Sequence, residues 1–408
     1  MASDTVPELS MRPQRLAVFT PFPIQYQTPW FRALAEQPDL DVQVYFSRLL
    51  SASEQGDGFG RSFEWDLPLL KGYPHRVFPS TDVTFLSRYL SRPVYGITRE
   101  LRVFKPDAAL ITGWQEFSLL QALAACRWAG VPVIMRGESR PKQRHWLARA
   151  AHRMLCARID AFLVIGEHNR RFYVDAGVNA ARLFDAPYFV DNLRFERAAA
   201  TARRHAETVR ADWGVPDGAT LALFVGKLEA KKRPLDFIDA VAAASARGAN
   251  LSGVVVGDGV LMGACIEHIR QLGAPVAMAG FRNQMQIAAA YAAADVLVIA
   301  SDEGETWGLV VNEAMAAGLP VIASKAVGCV PDLVQDGVTG ATYACGDLER
   351  LAALLVEASQ DRPGWRDRGR AAQERVKQQH SVENSVAAVR RAMQRLDPRE
   401  RSMDGYAR

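Results

Sequence analysis

DVLVIASDEGETWGLVVNEAMAAGLPVIA, residues 295–323, reads as a strand, a polar loop, a helix and a second strand. After Asp295 the first strand is continuously apolar, and so is the run 320–323. Continuous rather than alternating apolar residues mark strands covered on both faces, as in parallel sheets. The helix between them runs to about Ala317, stops at Gly318, and Pro320 opens the next strand. A buried strand, a helix and a buried strand in that order form the repeating unit of an α/β sheet.

The same unit recurs in both directions along the chain. Candidate strands lie at 16–20, 42–46, 108–112, 132–135 and 161–165, and a second series at 221–225, 251–256, 276–279, 295–300 and 320–323. Helical stretches of about 10–16 residues separate most of them. At 408 residues the chain is too long for one ordinary core, which predicts two domains. The break falls after Asp191, where a polar, Ala/Arg-rich stretch leads to the turn Pro216-Asp217-Gly218. The expected layout is a first α/β domain over 1–195, a linker over 196–215, a second domain over 216–380, and over 381–408 a tail and a last amphipathic helix that could pack on either domain, including back on the first. The segment 51–60 carries three glycines and reads as a loop. Two doubly wound sheets facing one another leave a cleft at the carboxyl ends of their strands, and ligands bind there.

Composition narrows the function. Hydrophobic residues are 49% and charged residues 23% of the chain, with a formal net charge of +4. That is an ordinary globular balance, without the basic bias expected of a nucleic-acid binder. The five cysteines have no CxxC spacing, which argues for reduced thiols and against a disulfide framework or structural zinc. Residues 1–15 lack the apolar core of a signal peptide, and no stretch of about 18 apolar residues is present. A cytoplasmic enzyme is expected.

Three loops that follow strands of the second series carry the chemistry. The first is Gly226-Lys227-Leu228-Glu229-Ala230-Lys231-Lys232-Arg233-Pro234. It gathers four cations where a strand gives way to a helix, a position already carrying partial positive charge. An anionic ligand would relieve the conflict; a solvated surface loop is the other reading. In the second loop Glu305 precedes Gly308, and Glu313 follows one turn into the helix. The N–H groups of Gly308, Leu309 and Val310 would point outward, a ready site for phosphate oxygens. A carboxylate on an apolar helix needs partners: two ribose hydroxyls would serve Glu313, as would a salt bridge at the helix edge. The third loop, Gly280-Phe281-Arg282-Asn283, borders the same crevice. Gly257-Asp258-Gly259 reads as a tight turn.

Taken together, these residues resemble the retaining family-4 glycosyltransferases of the glycosyl transferases group 1. The E-x7-E spacing of Glu305 and Glu313 frames the core Trp-Gly-Leu-Val-Val-Asn-Glu-Ala-Met at 307–315, and Lys227 and Lys232 stand where that family has Arg and Lys. The resemblance covers about 220–345. It implies a GT-B fold, two Rossmann-like domains facing a central cleft, with a nucleotide-sugar donor on the second domain and an acceptor on the first. By position, Gly226, Lys227 and Lys232 would meet the diphosphate, and the amides of Gly308, Leu309 and Val310 the distal phosphate. Glu313 would grip the ribose, Glu305 the donor sugar, and the backbone at Phe281 and Arg282 the base. UDP is the family's usual nucleotide. No cofactor or metal is implied, because two lysines and a helix N-terminus can stabilise the departing diphosphate. Lys227 in place of arginine gives up bidentate phosphate contact. Asp39-Leu40-Asp41 mimics a metal-binding DxD but sits in an early turn and reads as surface.

The acceptor side is less marked. Arg136-Gly137-Glu138-Ser139 and Gly113-Trp114-Gln115-Glu116 both leave buried strands, so Arg136, Glu138 and Trp114 are candidates there. Glu138 would orient an acceptor hydroxyl, contact the donor sugar, or pair with Arg136 or Arg140. From Arg136 to Arg158 there are seven Lys/Arg and one acid. This amphipathic segment reads either as a solvated helix face or as one resting on an anionic membrane or a lipid-diphosphate acceptor. The expected activity is retaining transfer of a sugar to a glycan, glycolipid or small molecule, as in polysaccharide biosynthesis. A nucleotide-sugar epimerase or hydrolase, or a non-catalytic nucleotide-sugar-binding module, shares the architecture.

Overall fold

The computed structural model describes residues 12–80, 93–141 and 145–397. Two parallel sheets account for the strands. The first contains β1 (Gln14–Thr20), β2 (Leu40–Phe46), β3 (His75–Val77), β4 (Ala108–Ile111), β5 (Val133–Met135), β6 (Ala161–Val164) and β7 (Leu183–Asp185), in the order β3-β2-β1-β4-β5-β6-β7. The second contains β8 (Thr220–Val225), β9 (Leu251–Val256), β10 (Val276–Gly280), β11 (Val296–Ile299), β12 (Val321–Ser324) and β13 (Gly340–Tyr343), in the order β10-β9-β8-β11-β12-β13.

In each sheet the winding reverses once, between β1 and β4 and between β8 and β11. Crevices open at such reversals. The loops leaving those four strands are 21–26, 112–116, 226–233 and 300–308, and they hold Trp114, Lys227, Lys232, Glu305 and Gly308. Each sheet is covered on both faces by apolar side chains. Val18, Val44 and Leu110 face one core of the first sheet, and Phe19, Tyr45 and Ile111 the other. Leu221, Val254 and Leu297 serve one core of the second sheet, and Phe224, Val255 and Val298 the other.

The structure corrects some local readings and fits others. Strands β3 and β7 span three residues each and are partly exposed, so they leave no buried apolar run to detect; β13 carries Gly340 and Thr342 among its four residues. Within 51–60, Ala52–Gln55 is a helical turn, because Ser51 and Glu54 form a reciprocal capping box. The polar stretch after Asp191 folds as the helices Asn192–Ala202 and Ala206–Asp212, with Phe195 and Ala199 buried beside Tyr291 in the second sheet's core. The last helix, Val382–Leu396, returns to the first sheet and buries Val386, Val389, Met393 and Leu396 there. Asp39 pairs with Arg390 at 2.6 Å and Asp41 with Arg15 at 3.5 Å. Both pairs sit at the amino end of β2, opposite the cleft. All five cysteines are free, and only Cys345 is exposed.

Candidate donor and acceptor site

The lysine loop is held by backbone packing. Leu228 N–H donates to the Asp258 carbonyl at 2.9 Å, and Leu261 N–H to the Leu228 carbonyl at 2.9 Å. A Cβ on Gly257 would stand 1.9 Å from the Gly226 carbonyl oxygen, and one on Gly259 2.7 Å from that of Leu228. The Gly257-Asp258-Gly259 turn is therefore the floor under the lysines, a role its sequence did not disclose. Pro234 occupies the first turn of the helix Pro234–Ala246. A short 3-10 turn, Ala230–Lys232, separates that helix from the strand.

The two lysines diverge. Lys232 forms a short ion pair with Glu305, with side chains 14% and 11% exposed. Lys227 reaches instead to the first sheet's side, where its ammonium donates to the Asp57 carbonyl at 2.5 Å and lies 4.8 Å from the Phe59 ring centroid. Burial there lowers the Lys227 pKa.

Gly308 caps the helix Leu309–Ala316 at φ 98°. A Cβ at that position would sit 2.9 Å from Val327 Cγ1, so both conformation and space require glycine. Trp307 is buried, its indole N–H donating to Asn312 Oδ1 at 2.8 Å, and Asn312 in turn donates to the Tyr188 carbonyl at 3.1 Å. This anchors the loop at the start of the helix, where a Cβ on Gly308 would also lie 3.6 Å from Glu305 Cγ.

Glu313 is 2% exposed. Neither lysine serves it. Tyr291 donates to one carboxylate oxygen at 2.6 Å and Tyr26 to the other at 3.1 Å, with Gln284 Nε2 at 3.5 Å. Burial raises the Glu313 pKa, while these donors and Arg194 pull it down. Arg194 also fixes Gln284 through its carbonyl at 3.0 Å and Oε1 at 2.7 Å. Tyr26 comes from the loop after β1, across the cleft. No local pattern around it signals this reach.

Phe281 is also met from across the cleft. Phe59 and Phe63 contact its ring at centroid separations of 5.1 and 4.5 Å, and Arg61 lies over it at 5.4 Å. Asn283 donates to the Glu64 carbonyl at 2.8 Å, and Met285 N–H to Asp66 at 3.1 Å. Arg282 donates to the Phe281 carbonyl at 3.1 Å. Residues 57–66 thus form a strap from the first domain over the loop after β10.

Opposite these groups, a cavity of about 260 Å³ opens beyond β1, β4 and β5. Gln27, Trp114, Glu116, Glu138 and Ser139 line it, and no lysine or arginine is among the described lining residues. Glu138 accepts a short hydrogen bond from the Tyr188 hydroxyl. It pairs with neither candidate arginine. Arg136 is buried among the Tyr188, Trp30 and Phe189 rings at 4.4, 5.1 and 5.9 Å and is not among the residues that line the cavity. Arg140 crosses to the second domain and donates to the carbonyls of Glu305 at 3.0 Å and Ala326 at 2.9 Å.

Comparison with known proteins bears on the family and the fold. The family model described as "Glycosyl transferases group 1" matches residues 205–375. A GDP-mannose-dependent alpha-mannosyltransferase of Mycobacterium tuberculosis is 33% identical over 287 residues, covering 68% of this chain and 69% of that protein. Sulfoquinovosyl transferase SQD2 of Arabidopsis thaliana is 31% identical over 299 residues, and that match spans 68% of this chain but only 54% of the relative. Among solved structures, Anabaena HepE in complex with UDP superposes with a TM-score of 0.71 at 18% identity, over 93% of this chain and 99% of that one. Sucrose-phosphate synthase of Thermosynechococcus elongatus gives 0.67 at 17% identity, over 94% and 99%. With its paired parallel sheets, its cleft and its E-x7-E helix, the chain belongs to the group 1 glycosyl transferases of the GT-B fold.

Proposed function

We propose that the protein transfers a sugar, with retention of anomeric configuration, from a nucleoside diphosphate donor to an acceptor hydroxyl, and needs no metal ion to do so. The observation that carries this is Lys232 paired with Glu305 beside the amides that open the helix Leu309–Ala316. A departing diphosphate takes Lys232 and those amides as its counter-charge. Lys227 adds a second cation once it leaves the Asp57 carbonyl. Glu305, released from its lysine, accepts hydroxyls of the donor sugar. Glu313 accepts the ribose hydroxyls in place of Tyr26, and the Phe281–Arg282 backbone meets the base.

The anomeric carbon–oxygen bond to the phosphate breaks while the acceptor oxygen bonds to the same face of that carbon. The acceptor proton passes to the departing phosphate oxygen, so no protein nucleophile is required. UDP is favoured as the nucleotide by family habit and by HepE, whose structures hold UDP and UDP-glucose. The carboxylates in the 260 Å³ cavity, without a described cation, support an uncharged, hydroxyl-bearing acceptor such as a glycan, the sugar of a glycolipid or a small polyol. Five free thiols suit a reducing compartment such as the cytoplasm.

The test is nucleotide release from UDP- and GDP-sugars, with and without neutral and phosphorylated acceptors, followed by the anomeric coupling constant of the product. Acceptor-dependent release that survives EDTA, with an axial donor linkage kept axial, is expected. Release of free sugar without any acceptor, or strict dependence on added Mg²⁺ or Mn²⁺, refutes the proposal.

A further inference from the structure

The loop that carries Glu305 is fastened on one side by its own domain. Gly328 N–H donates to the Glu305 carbonyl at 3.2 Å, and Cys329 N–H to the Trp307 carbonyl at 2.9 Å. The two backbones run so close that a Cβ on Gly328 would stand 1.9 Å from the Thr306 carbonyl oxygen. On the other side stands Arg140, from the first domain. Its Nη1 donates to the Glu305 carbonyl at 3.0 Å and to the Ala326 carbonyl at 2.9 Å, one acceptor in each of the two loops. The Glu305 carbonyl is therefore held by donors from both domains, while its carboxylate pairs with Lys232.

Arg140 follows directly on Gly137, Glu138 and Ser139, which line the 260 Å³ cavity. That segment is itself anchored. The buried Asn169 donates to the Ser139 carbonyl at 2.7 Å, and Gly137 N–H donates to the Tyr173 hydroxyl at 3.3 Å. One guanidinium thus joins an anchored wall of the acceptor cavity to the backbone of Glu305. Apposition of the domains has other supports close by. Asp332 accepts the Glu167 N–H at 3.0 Å, and a Cβ on Gly166 would lie 2.5 Å from Trp307 Cζ3.

What Arg140 adds is the orientation of the peptide group between Glu305 and Thr306. That plane fixes the direction in which the Glu305 side chain leaves the backbone. Displacing a substrate-gripping group by about 1 Å costs about 10²-fold in rate. We propose that Arg140 is a positioning residue of the transfer reaction: by clamping the Glu305 and Ala326 carbonyls from the acceptor side, it keeps the carboxylate that meets the donor sugar in register with the acceptor cavity, a role that rests on the function proposed above.

Two measurements on the full chain test this, and one needs no substrate. Hydrogen–deuterium exchange of the free protein follows peptides covering 303–309 and 325–330. Arg140→Ala should raise exchange there by about tenfold or more, as a charged donor to two carbonyls is lost, with the buried strands of both sheets unaltered. Arg140→Lys should recover part of the protection. In the transfer assay Arg140→Ala should lower kcat by about 10–100-fold. UDP carries no sugar for Glu305, so its affinity in calorimetry should match that of the native chain. Asp332→Ala removes an interdomain contact, leaves Arg140 in place, and should not reproduce the loss of kcat. Unaltered exchange in Arg140→Ala overturns the clamp, whether or not the chain proves active. Near-native kcat or weaker UDP in Arg140→Ala, or an equal loss of kcat in Asp332→Ala, overturns the positioning role. A native chain that transfers no sugar refutes the proposed function and the positioning role with it, while exchange still decides the clamp.

Discussion

Lys232 and Glu305 neutralise one another; in the proposed reaction they would separate to meet the diphosphate and the sugar. Lys232→Ala should lower kcat/KM for the donor by about 10²–10³-fold, the scale of losing one preorganised charge contact. Stopped-time nucleotide release measures it, and near-native turnover would remove the phosphate role. Glu313 makes a different prediction. Its Tyr26 partner occupies the oxygen that a ribose hydroxyl would use. Tyr26→Phe should therefore tighten UDP by roughly fivefold in calorimetry, the equivalent of about 1 kcal/mol for one hydrogen bond no longer broken. Weaker UDP in that variant would instead make Tyr26 a nucleotide contact. Lys232, Glu305 and Glu313 were legible because one strand-loop-helix pattern carries two of them at fixed spacing. Tyr26, Arg140 and Asp57 were not, since each reaches the site from the other sheet, with no periodicity to announce it.

At the scale of elements, the loop between β11 and the helix Leu309–Ala316 rests on Gly308. Gly308→Ala should cost about 1–3 kcal/mol of stability, from strained backbone and the close Val327 methyl together. Urea unfolding checks this, and an unchanged midpoint would mean the loop has another conformation open to it. Long buried strands could be read from composition because both of their faces must be apolar. The edge strands β3 and β7 escaped notice, with three residues apiece and little burial. The helices after Asp191 escaped for another reason: their arginines dominate the composition, while Phe195 and Ala199 carry the packing. The glycine turn at 257–259 was seen but not understood, because its cause is a backbone in another loop.

Across the whole molecule, the halves meet through polar contacts that titrate. Asp332 of the second domain accepts the Glu167 N–H of the first at 3.0 Å, and burial raises its pKa to about 6. The folded protein thus holds that proton more tightly than the unfolded chain does. The contribution is stabilising below the ordinary carboxylate value and is lost as pH rises through about 6. His380, buried against the Tyr188 carbonyl at 3.2 Å, has the opposite sign. Burial lowers its pKa to about 4, so its contribution is present above the ordinary imidazole value and is lost as pH falls toward 4. Between pH 4 and 6 the two slopes oppose each other. Tm measured over that range should fall more steeply with acid in Asp332→Asn than in the native chain, and less steeply in His380→Gln. Parallel profiles for all three proteins would show that neither group stays buried as described.

The return of Val382–Leu396 to the first sheet means the chain passes between domains twice. Both passages lie together, because Asn192 donates to the carbonyls of Val376 at 3.1 Å and His380 at 2.9 Å. Two crossings fastened at one place leave a single axis for swinging the halves apart, much as a door turns on pins set in one jamb. Swinging about that axis would part the contacts that Tyr26, Asp57 and Phe63 make across the cleft.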